Sequence, residues 1–208
     1  STTDGMVGGL VGQHDGADVI RSNASGAVDG TDSVGGLIGD TDAGSVIDSN
    51  ASGTVNGTST VGGLIGFNDE AETVTDSYAT GNVTGSRSLG GLVGNNTGGA
   101  VSGSYATGTV QSVATDLEGL FPNVKTGGLI GRTNQSVADS YATGAVTVRD
   151  GGSTGGLVGS LSDANISNSY AAGEVDGGTD VTDVGGLVGD IDGGNVSGSY
   201  ASGAVTGD

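Results

Sequence analysis

The 208-residue chain contains no cysteine, no tryptophan and a single proline. The absence of cysteine excludes disulfide frameworks, thiolate metal sites and cysteine nucleophiles. Basic residues are also scarce, since five Lys and Arg stand against 24 Asp and Glu, for a net charge of −19. A nucleic-acid-binding protein needs a positive footprint, and this balance excludes one. No apolar run approaches about 18 residues, so we expect no membrane insertion of this segment.

Glycine is abundant, with 46 residues, while aromatic residues make up only 3 %. This composition is typical of disordered chains, but internal repeats exclude that interpretation. A Gly-Gly-Leu-(Val/Ile)-Gly block and a following Ser-(Asn/Tyr)-Ala-(Ser/Thr/Ala)-Gly-x-Val block each occur seven times. The first blocks begin at Gly8, Gly35, Gly62, Gly90, Gly127, Gly155 and Gly185. They recur every 27 to 30 residues except once, where an interval of 37 residues predicts an insertion at about 111–126.

A repeat of this length without a helical pattern is typical of one turn of a β-solenoid. Each repeat has three short strand-like stretches separated by Gly and polar turns, in the second repeat at 34–39, 45–51 and 53–55. Ala79, Gly81 and Val83 alternate with larger or polar residues, which places the small and apolar set inside a narrow core. The sequence therefore predicts one all-β domain over 1–208, a parallel β-solenoid of seven coils with three short strands per coil.

The second block contains two informative rows. Its serines should face inward and form a hydrogen-bonded ladder, because a buried hydroxyl must be paired. The serines are Ser22, Ser49, Ser77, Ser104, Ser140, Ser169 and Ser199. The next row should face outward, with Asn23 and Asn50 in the first two coils and an aromatic ladder in the other five, at Tyr78, Tyr105, Tyr141, Tyr170 and Tyr200. This ladder either stabilises the sheet by cross-strand stacking or offers a platform for sugar rings or a lateral partner.

The Gly-Leu-Val-Gly core and the trailing Ser-Tyr-Ala-Thr-Gly-x-Val block resemble the GLUG-motif repeat. The resemblance covers essentially the whole chain outside the insertion. It implies an extracellular, repeat-rich surface protein, such as an adhesin-like protein or the non-catalytic region of a secreted peptidase. The resemblance implies no catalytic residues in this chain.

The acidic residues are 20 Asp and 4 Glu, scattered through the expected turns. Such a density destabilises a thin rod by self-repulsion in low salt, which indicates a protein adapted to high salt. A rival interpretation is calcium binding by paired carboxylates in equivalent turns, Asp40 with Asp42 and Asp190 with Asp192. Neither an EF-hand loop nor a nonapeptide calcium repeat is present. The simpler alternative is a solvated acidic turn.

Eight asparagines begin an Asn-x-Ser/Thr triplet: Asn23, Asn50, Asn56, Asn82, Asn95, Asn134, Asn165 and Asn195. On exposed turns of an exported protein such triplets are glycosylation acceptors. We expect partial occupancy.

Two features of the sequence are candidates for catalysis. His14 is the lone histidine, in a Gln-His-Asp-Gly turn, and no Ser-His-Asp set forms around it. The second is a polar row formed by Arg21, Asp48, Asp76, Gly103, Asp139, Asn168 and Gly198. Asp48 and Asp76 should stack about 4.8 Å apart, close to the carboxylate separation of a retaining glycosidase. A polar turn row explains them more simply, so we expect a non-catalytic chain without a cofactor.

The insertion holds the apolar residues Leu120 and Phe121, which either shield the flank or anchor a partner. No amphipathic cap is evident at either end, so we expect end-to-end contacts with copies of the chain or with flanking repeats. The overall expectation is an extracellular structural or adhesive rod, stalk or filament subunit at the cell surface. The alternatives are a carbohydrate- or surface-binding module that uses the Tyr row and the insertion, and a polysaccharide-active enzyme.

Overall fold

The computed structural model describes residues 5–70, 73–113, 124–178 and 181–207. Within these ranges the chain forms only β-strands and turns, and every strand pairs in parallel with its equivalent in the neighbouring coil. Val34, for example, pairs with Val7 and with Val61. About seven coils stack in this way, which confirms the predicted parallel β-solenoid. No helix in the described ranges is long and apolar enough to cross a membrane.

The strands form four sheets, named A to D in the order in which each coil visits them. Sheet A comprises Val7–Gly8, Ser33–Gly35, Thr60–Gly62, Ser88–Gly90, Lys125–Gly127, Ser153–Gly155 and Asp183–Gly185. Sheet B comprises Val11–His14, Val19–Ile20, Ile38–Thr41, Val46–Ile47, Ile65–Asn68, Thr73–Thr75, Val93–Asn96, Ala100–Ser102, Ile130–Thr133, Val137–Ala138, Val158–Ser167 and Val188–Ser197. Sheet C comprises Asn23–Ala24, Asn50–Ala51, Tyr78–Ala79, Tyr105–Ala106, Tyr141–Ala142, Tyr170–Ala171 and Tyr200–Ala201. Sheet D comprises Val28–Asp29, Val55–Asn56, Val83–Gly85, Val110–Ser112, Val146–Thr147, Val175–Asp176 and Val205–Thr206.

Each coil contains more strands than the three that the sequence predicts. Each of the first five described coils has five short strands, because bends split two of the three expected stretches. In the second coil the stretch 34–39 divides between Ser33–Gly35 and Ile38–Thr41, with the glycine-containing corner between them. In the last two coils the two sheet B segments merge into one ten-residue strand.

The interior consists of two apolar clusters. One lies between sheets B and C and includes Leu64, Ile65 and Ala79, while the other lies between sheets A and D and includes Val55 and Val61. A glycine separates the two clusters in each coil. A Cβ on Gly63 would lie 2.0 Å from the Gly91 carbonyl oxygen and 2.9 Å from the Ala79 Cβ, so only glycine fits there. The sequence predicts one narrow core from the small residues, and the structure has two cores, which a glycine separates in each coil.

The insertion falls between sheets D and A of successive coils. Strands Val110–Ser112 and Lys125–Gly127 take in its first two and last two expected residues. Leu120 and Phe121 lie outside the described residues.

Candidate functional site

The five tyrosines form the outward ladder that the sequence predicts. Each of the first four pairs in register with the tyrosine of the next coil. Neighbouring ring centroids lie 4.8 to 5.2 Å apart, with interplanar angles of 1 to 6°. Each ring therefore covers the face of the next, and the row presents ring edges and hydroxyl groups to solvent. This geometry favours the stabilising interpretation, because a sugar ring stacks on an open aromatic face.

Two tyrosines within the ladder, Tyr105 and Tyr141, have raised pKa values. Burial raises the pKa of the Tyr105 and Tyr141 hydroxyls above the usual 10.0, and neighbouring tyrosines raise it further. The row continues in the first two coils as Asn23 and Asn50, so the aromatic surface covers only the later coils. Tyr200 in the last coil is 58 % exposed and leaves one ring face open.

The serine row faces the interior and satisfies its own hydrogen bonds, as predicted. Ser77 and Ser104 are fully buried. The Ser77 amide donates to Ser104 Oγ at 3.1 Å, and Ser104 Oγ donates to the Ser102 carbonyl at 2.9 Å. The same pair of bonds recurs one coil earlier, from the Ser49 amide to Ser77 Oγ and from Ser77 Oγ to the Thr75 carbonyl. These contacts give the row a structural role.

The polar row that contains Asp48 and Asp76 has a backbone explanation. All seven of its residues have φ between 50 and 59°, in the left-handed region. Asp, Asn and Gly are the residues that enter this region at least cost, which accounts for six of the seven positions. Arg21 is the exception. The arrangement therefore follows from a left-handed turn repeated in every coil, and it favours the turn interpretation over a glycosidase pair.

Three of the four paired aspartates lie within strands, where the sequence predicted turns, and only Asp42 lies in a bend. Asp40 lies within the strand Ile38–Thr41 and Asp42 follows it, whereas Asp190 and Asp192 both lie within Val188–Ser197. Gly-Asp segments are typical of turns, but here the strands continue through them because they pair with the neighbouring coils. Among the described residues, no group of three or more His, Cys, Asp or Glu side chains is placed to hold a metal ion.

Asp40 is the most perturbed carboxyl group of the described chain. It is only 6 % exposed, and its Oδ1 atom has no hydrogen-bond partner. Burial, together with the charges of Asp42 and Asp69, raises the pKa of Asp40 to about 6. The Gln13 side chain donates to Asp42 Oδ2 at 3.1 Å instead. Asp40 is thus a buried group whose pKa of about 6 lies well above that of a free carboxyl group.

His14 ends the strand Val11–His14 and does not occupy a turn. Its Nδ1 atom lies 3.1 Å from Thr41 Oγ1, at the beginning of an interior polar row. This row continues through Asn68 and Asn96, both fully buried. The Asn68 side chain donates to Asn96 Oδ1, and Asn96 Nδ2 donates to Thr133 Oγ1 at 3.2 Å. His14 therefore belongs to an internal hydrogen-bonded row.

Most of the glycosylation triplets are accessible. Six of the eight asparagines have exposed side chains: Asn23, Asn56, Asn82, Asn134, Asn165 and Asn195. Asn50 and Asn95 are partly buried, and Asn95 Oδ1 is a buried acceptor without a partner. Glycan occupancy stays a prediction.

One cluster that the sequence analysis missed lies between sheets A and B. Arg87, Lys125 and Arg132 line a single cavity of about 340 Å³ together with three hydroxyl residues, Ser59, Thr60 and Ser88. No linear motif marks this cluster, because its residues come from three coils and flank the insertion. Only the register of sheet A, which pairs Ser88 with Lys125, reveals it.

The stacked parallel coils and the internal ladders define a β-solenoid repeat protein. Among known families, the one described as the GLUG motif matches residues 3–29, 57–84, 85–111 and 150–176, just over half of the chain. The protein belongs to the GLUG-motif family, which confirms the resemblance. No curated protein sequence matches it. GLUG repeats on a β-solenoid fit a repeat-based structural or surface protein.

Proposed function

We propose that this chain is a non-catalytic structural domain, a rod, stalk or filament segment of an extracellular surface protein adapted to high salt. The observation that supports the proposal best is the unbroken pairing of equivalent strands from the first coil to the last in sheets A, C and D. The recurring polar rows are used within this architecture, by the serine hydrogen bonds and by the left-handed turns. A domain built in this way is elongated and stiff, because its coils stack along one axis and each coil contacts only its neighbours.

End-to-end contacts are part of the proposal. The end coils expose apolar side chains that are buried in the middle of the stack. Leu10 is 52 % exposed in the first coil and Ile191 is 48 % exposed in the last, whereas the equivalent Leu37 and Leu161 are fully buried. Further coils, from another copy or from flanking repeats, would bury these side chains and pair the open strands.

Electron microscopy in molar salt tests the structural role. We expect elongated particles of about 33 Å per copy, from seven coils at about 4.8 Å each, which join end to end. Ile191→Asp should abolish the joining, whereas Thr80→Asp, an exposed substitution on the flank, should not. Compact particles, or joining that Ile191→Asp leaves intact, would contradict the proposal.

Salt adaptation follows from the net charge of −19 on a thin rod. Screening reduces the repulsion between exposed carboxylates, because the Debye length falls from about 10 Å at 0.1 M to about 3 Å at 1 M salt. The melting temperature should therefore rise steadily from 0.1 M to molar NaCl. A flat or falling dependence would contradict this part of the proposal.

Contact with a glycan or another cell surface is a second candidate function, and the outward tyrosine row is the feature that favours it. The stacked geometry assigns any such contact to the row of hydroxyl groups. Tyr141→Phe preserves the stack and removes one hydroxyl, so it should weaken binding to cell-surface glycans without changing stability. Unchanged glycan binding by the Tyr105→Phe/Tyr141→Phe double variant would leave the ladder with a stabilising role alone.

A further inference from the structure

The cavity lies beside a point where the backbones of sheets A and B approach closely. A Cβ on Gly131 of sheet B would lie 2.5 Å from the Gly94 carbonyl oxygen and 2.8 Å from the Leu89 amide nitrogen of sheet A. There is no room for a side chain at this point. Side chains of both sheets line the cavity next to this junction, Lys125 on the sheet A side and Arg132 on the sheet B side.

The cavity concentrates positive charge on a strongly acidic protein. The whole chain has five Lys and Arg residues, and three of them line this one space. The Lys125 ammonium donates to Ser153 Oγ at 2.9 Å. Within the described ranges, neither Lys125 nor Arg132 is paired directly with a carboxylate. Lys125 is connected to the Asp183 carboxylate only through Ser153, whose Oγ donates to Asp183 Oδ2 at 3.3 Å. In the described part of the chain, these two cations thus face the cavity without a direct counter-ion.

The remaining lining is made of hydroxyl groups. Ser59, Thr60 and Ser88 complete the walls, and among the residues that the structure describes no apolar side chain lines the cavity. The volume of about 340 Å³ lies at the lower end of the range for small-molecule sites, about 300 to 1,000 Å³. Because the central strands of sheets A and B pair on both sides, they offer no free edge that an acidic peptide could extend. A polyhydroxylated ligand with one anionic group matches this lining better.

We propose that this cavity binds an acidic sugar unit of a polysaccharide, with its oxyanion between Lys125 and Arg132. The guanidinium group suits a carboxylate or a sulfate ester through paired N–H donors, and the ammonium adds a second charge-assisted hydrogen bond. The Ser59, Thr60 and Ser88 hydroxyls hydrogen-bond the sugar hydroxyls. A uronate and a sulfated sugar share this chemistry. The site is separate from the tyrosine row and does not depend on the rod function.

Calorimetric titration of the full chain with three oligosaccharides tests the site. The probes are a uronic-acid oligosaccharide, a sulfated oligosaccharide and a neutral oligosaccharide of similar length. We expect binding of one or both acidic probes and none of the neutral probe. Binding of a single acidic probe identifies the oxyanion, and binding of both supports recognition of the shared charge.

Matched variants separate the cavity from the general charge of the protein. Lys125→Gln and Arg132→Gln each remove one positive charge from the cavity and should weaken binding about tenfold or more, which corresponds to about 1.4 kcal/mol. Arg149→Gln removes the same charge from an exposed position that does not line the cavity, and it should leave the affinity unchanged. Arg132 is itself exposed, so its replacement should leave folding intact even if Lys125→Gln does not fold.

Three results would overturn the proposal. The first is that no acidic probe binds. The second is that Arg149→Gln weakens binding as much as Arg132→Gln, which would indicate nonspecific charge attraction. The third is that inorganic sulfate or acetate binds as tightly as the oligosaccharides, which would leave the hydroxyl groups without a role in recognition.

Discussion

Replacement of one buried serine tests how much the serine ladder stabilises the solenoid. Ser104→Ala removes the acceptor of the Ser77 amide and the donor to the Ser102 carbonyl. The carbonyl keeps a hydrogen bond from the Asp76 amide at 3.1 Å. The Ser77 amide has no second acceptor among the described residues, so it would be left buried and unpaired.

The expected cost follows from these two losses. An unpaired buried donor costs about 1 to 3 kcal/mol, and the lost hydroxyl bond adds about 1 kcal/mol. Ser104→Ala should therefore lower the free energy of unfolding by about 2 to 4 kcal/mol. This is a large fraction of the stability of a typical domain, about 5 to 15 kcal/mol.

Two measurements check this value. Urea unfolding in molar salt gives the global change, and hydrogen exchange of the Ser77 amide gives the local one, which matters because repeat arrays unfold in parts. The matched control is Ser52→Ala, an exposed position where the sixth coil already carries Ala172. It should change stability by less than about 0.5 kcal/mol. If Ser104→Ala costs no more than Ser52→Ala, or if Ser77 stays protected, the ladder does not carry the stability assigned to it.

Three further predictions concern other rows. Thr126 Oγ1 is buried without a hydrogen-bond partner, and the equivalent residue of the third coil is Val61. Thr126→Val should therefore raise the free energy of unfolding, measured by urea titration, by about 1 to 2 kcal/mol. A variant less stable than the native chain would contradict this prediction. Asp40 has a folded-state pKa of about 6, against 3.8 for a free carboxyl group. Its contribution to the free energy of unfolding is therefore complete below pH 3.8 and is lost as the pH rises through about 6. The loss amounts to at most about 3 kcal/mol. Asp40→Asn should remove that part of the pH dependence of the melting temperature, and an unchanged profile would contradict the assignment. Tyr105 and Tyr141 should ionise at higher pH in the folded chain than in urea, as measured by phenolate absorbance; identical titrations would show that burial has no effect.

Several features of the fold and the rows follow from the repeat period. The alternation around Ala79 and Val83 placed the small residues inside, and a constant spacing placed Ser77 over Ser104. Strands of a parallel solenoid are related by translation along one axis, so residues one period apart meet. For the same reason the stacking of the tyrosines can be predicted from the period alone.

Other features could not be obtained from the period. The left-handed conformation at Asp48 and Asp76 is a property of the backbone, and their composition alone also suits an acid pair. Asp40 reads as a turn residue beside glycine, yet pairing with neighbouring coils extends a strand through it. The Lys125–Arg132 cavity arises where two sheets of the coil approach each other, and one-dimensional spacing does not report which sheets do so.

The family, the number of coils, the parallel stacking and the inward or outward direction of the serine and tyrosine rows can all be predicted from the amino-acid sequence, because they depend on a period and an alternation. The cross-section of the coil is visible only in the folded chain: four sheets, two cores separated by glycine in each coil, and a junction of sheets A and B too tight for a side chain at Gly131. The physical reason is that stacking repeats one local contact along an axis. The cross-section instead depends on contacts between different parts of one coil, whose distances are set by the bends at glycine and by the packing of both cores.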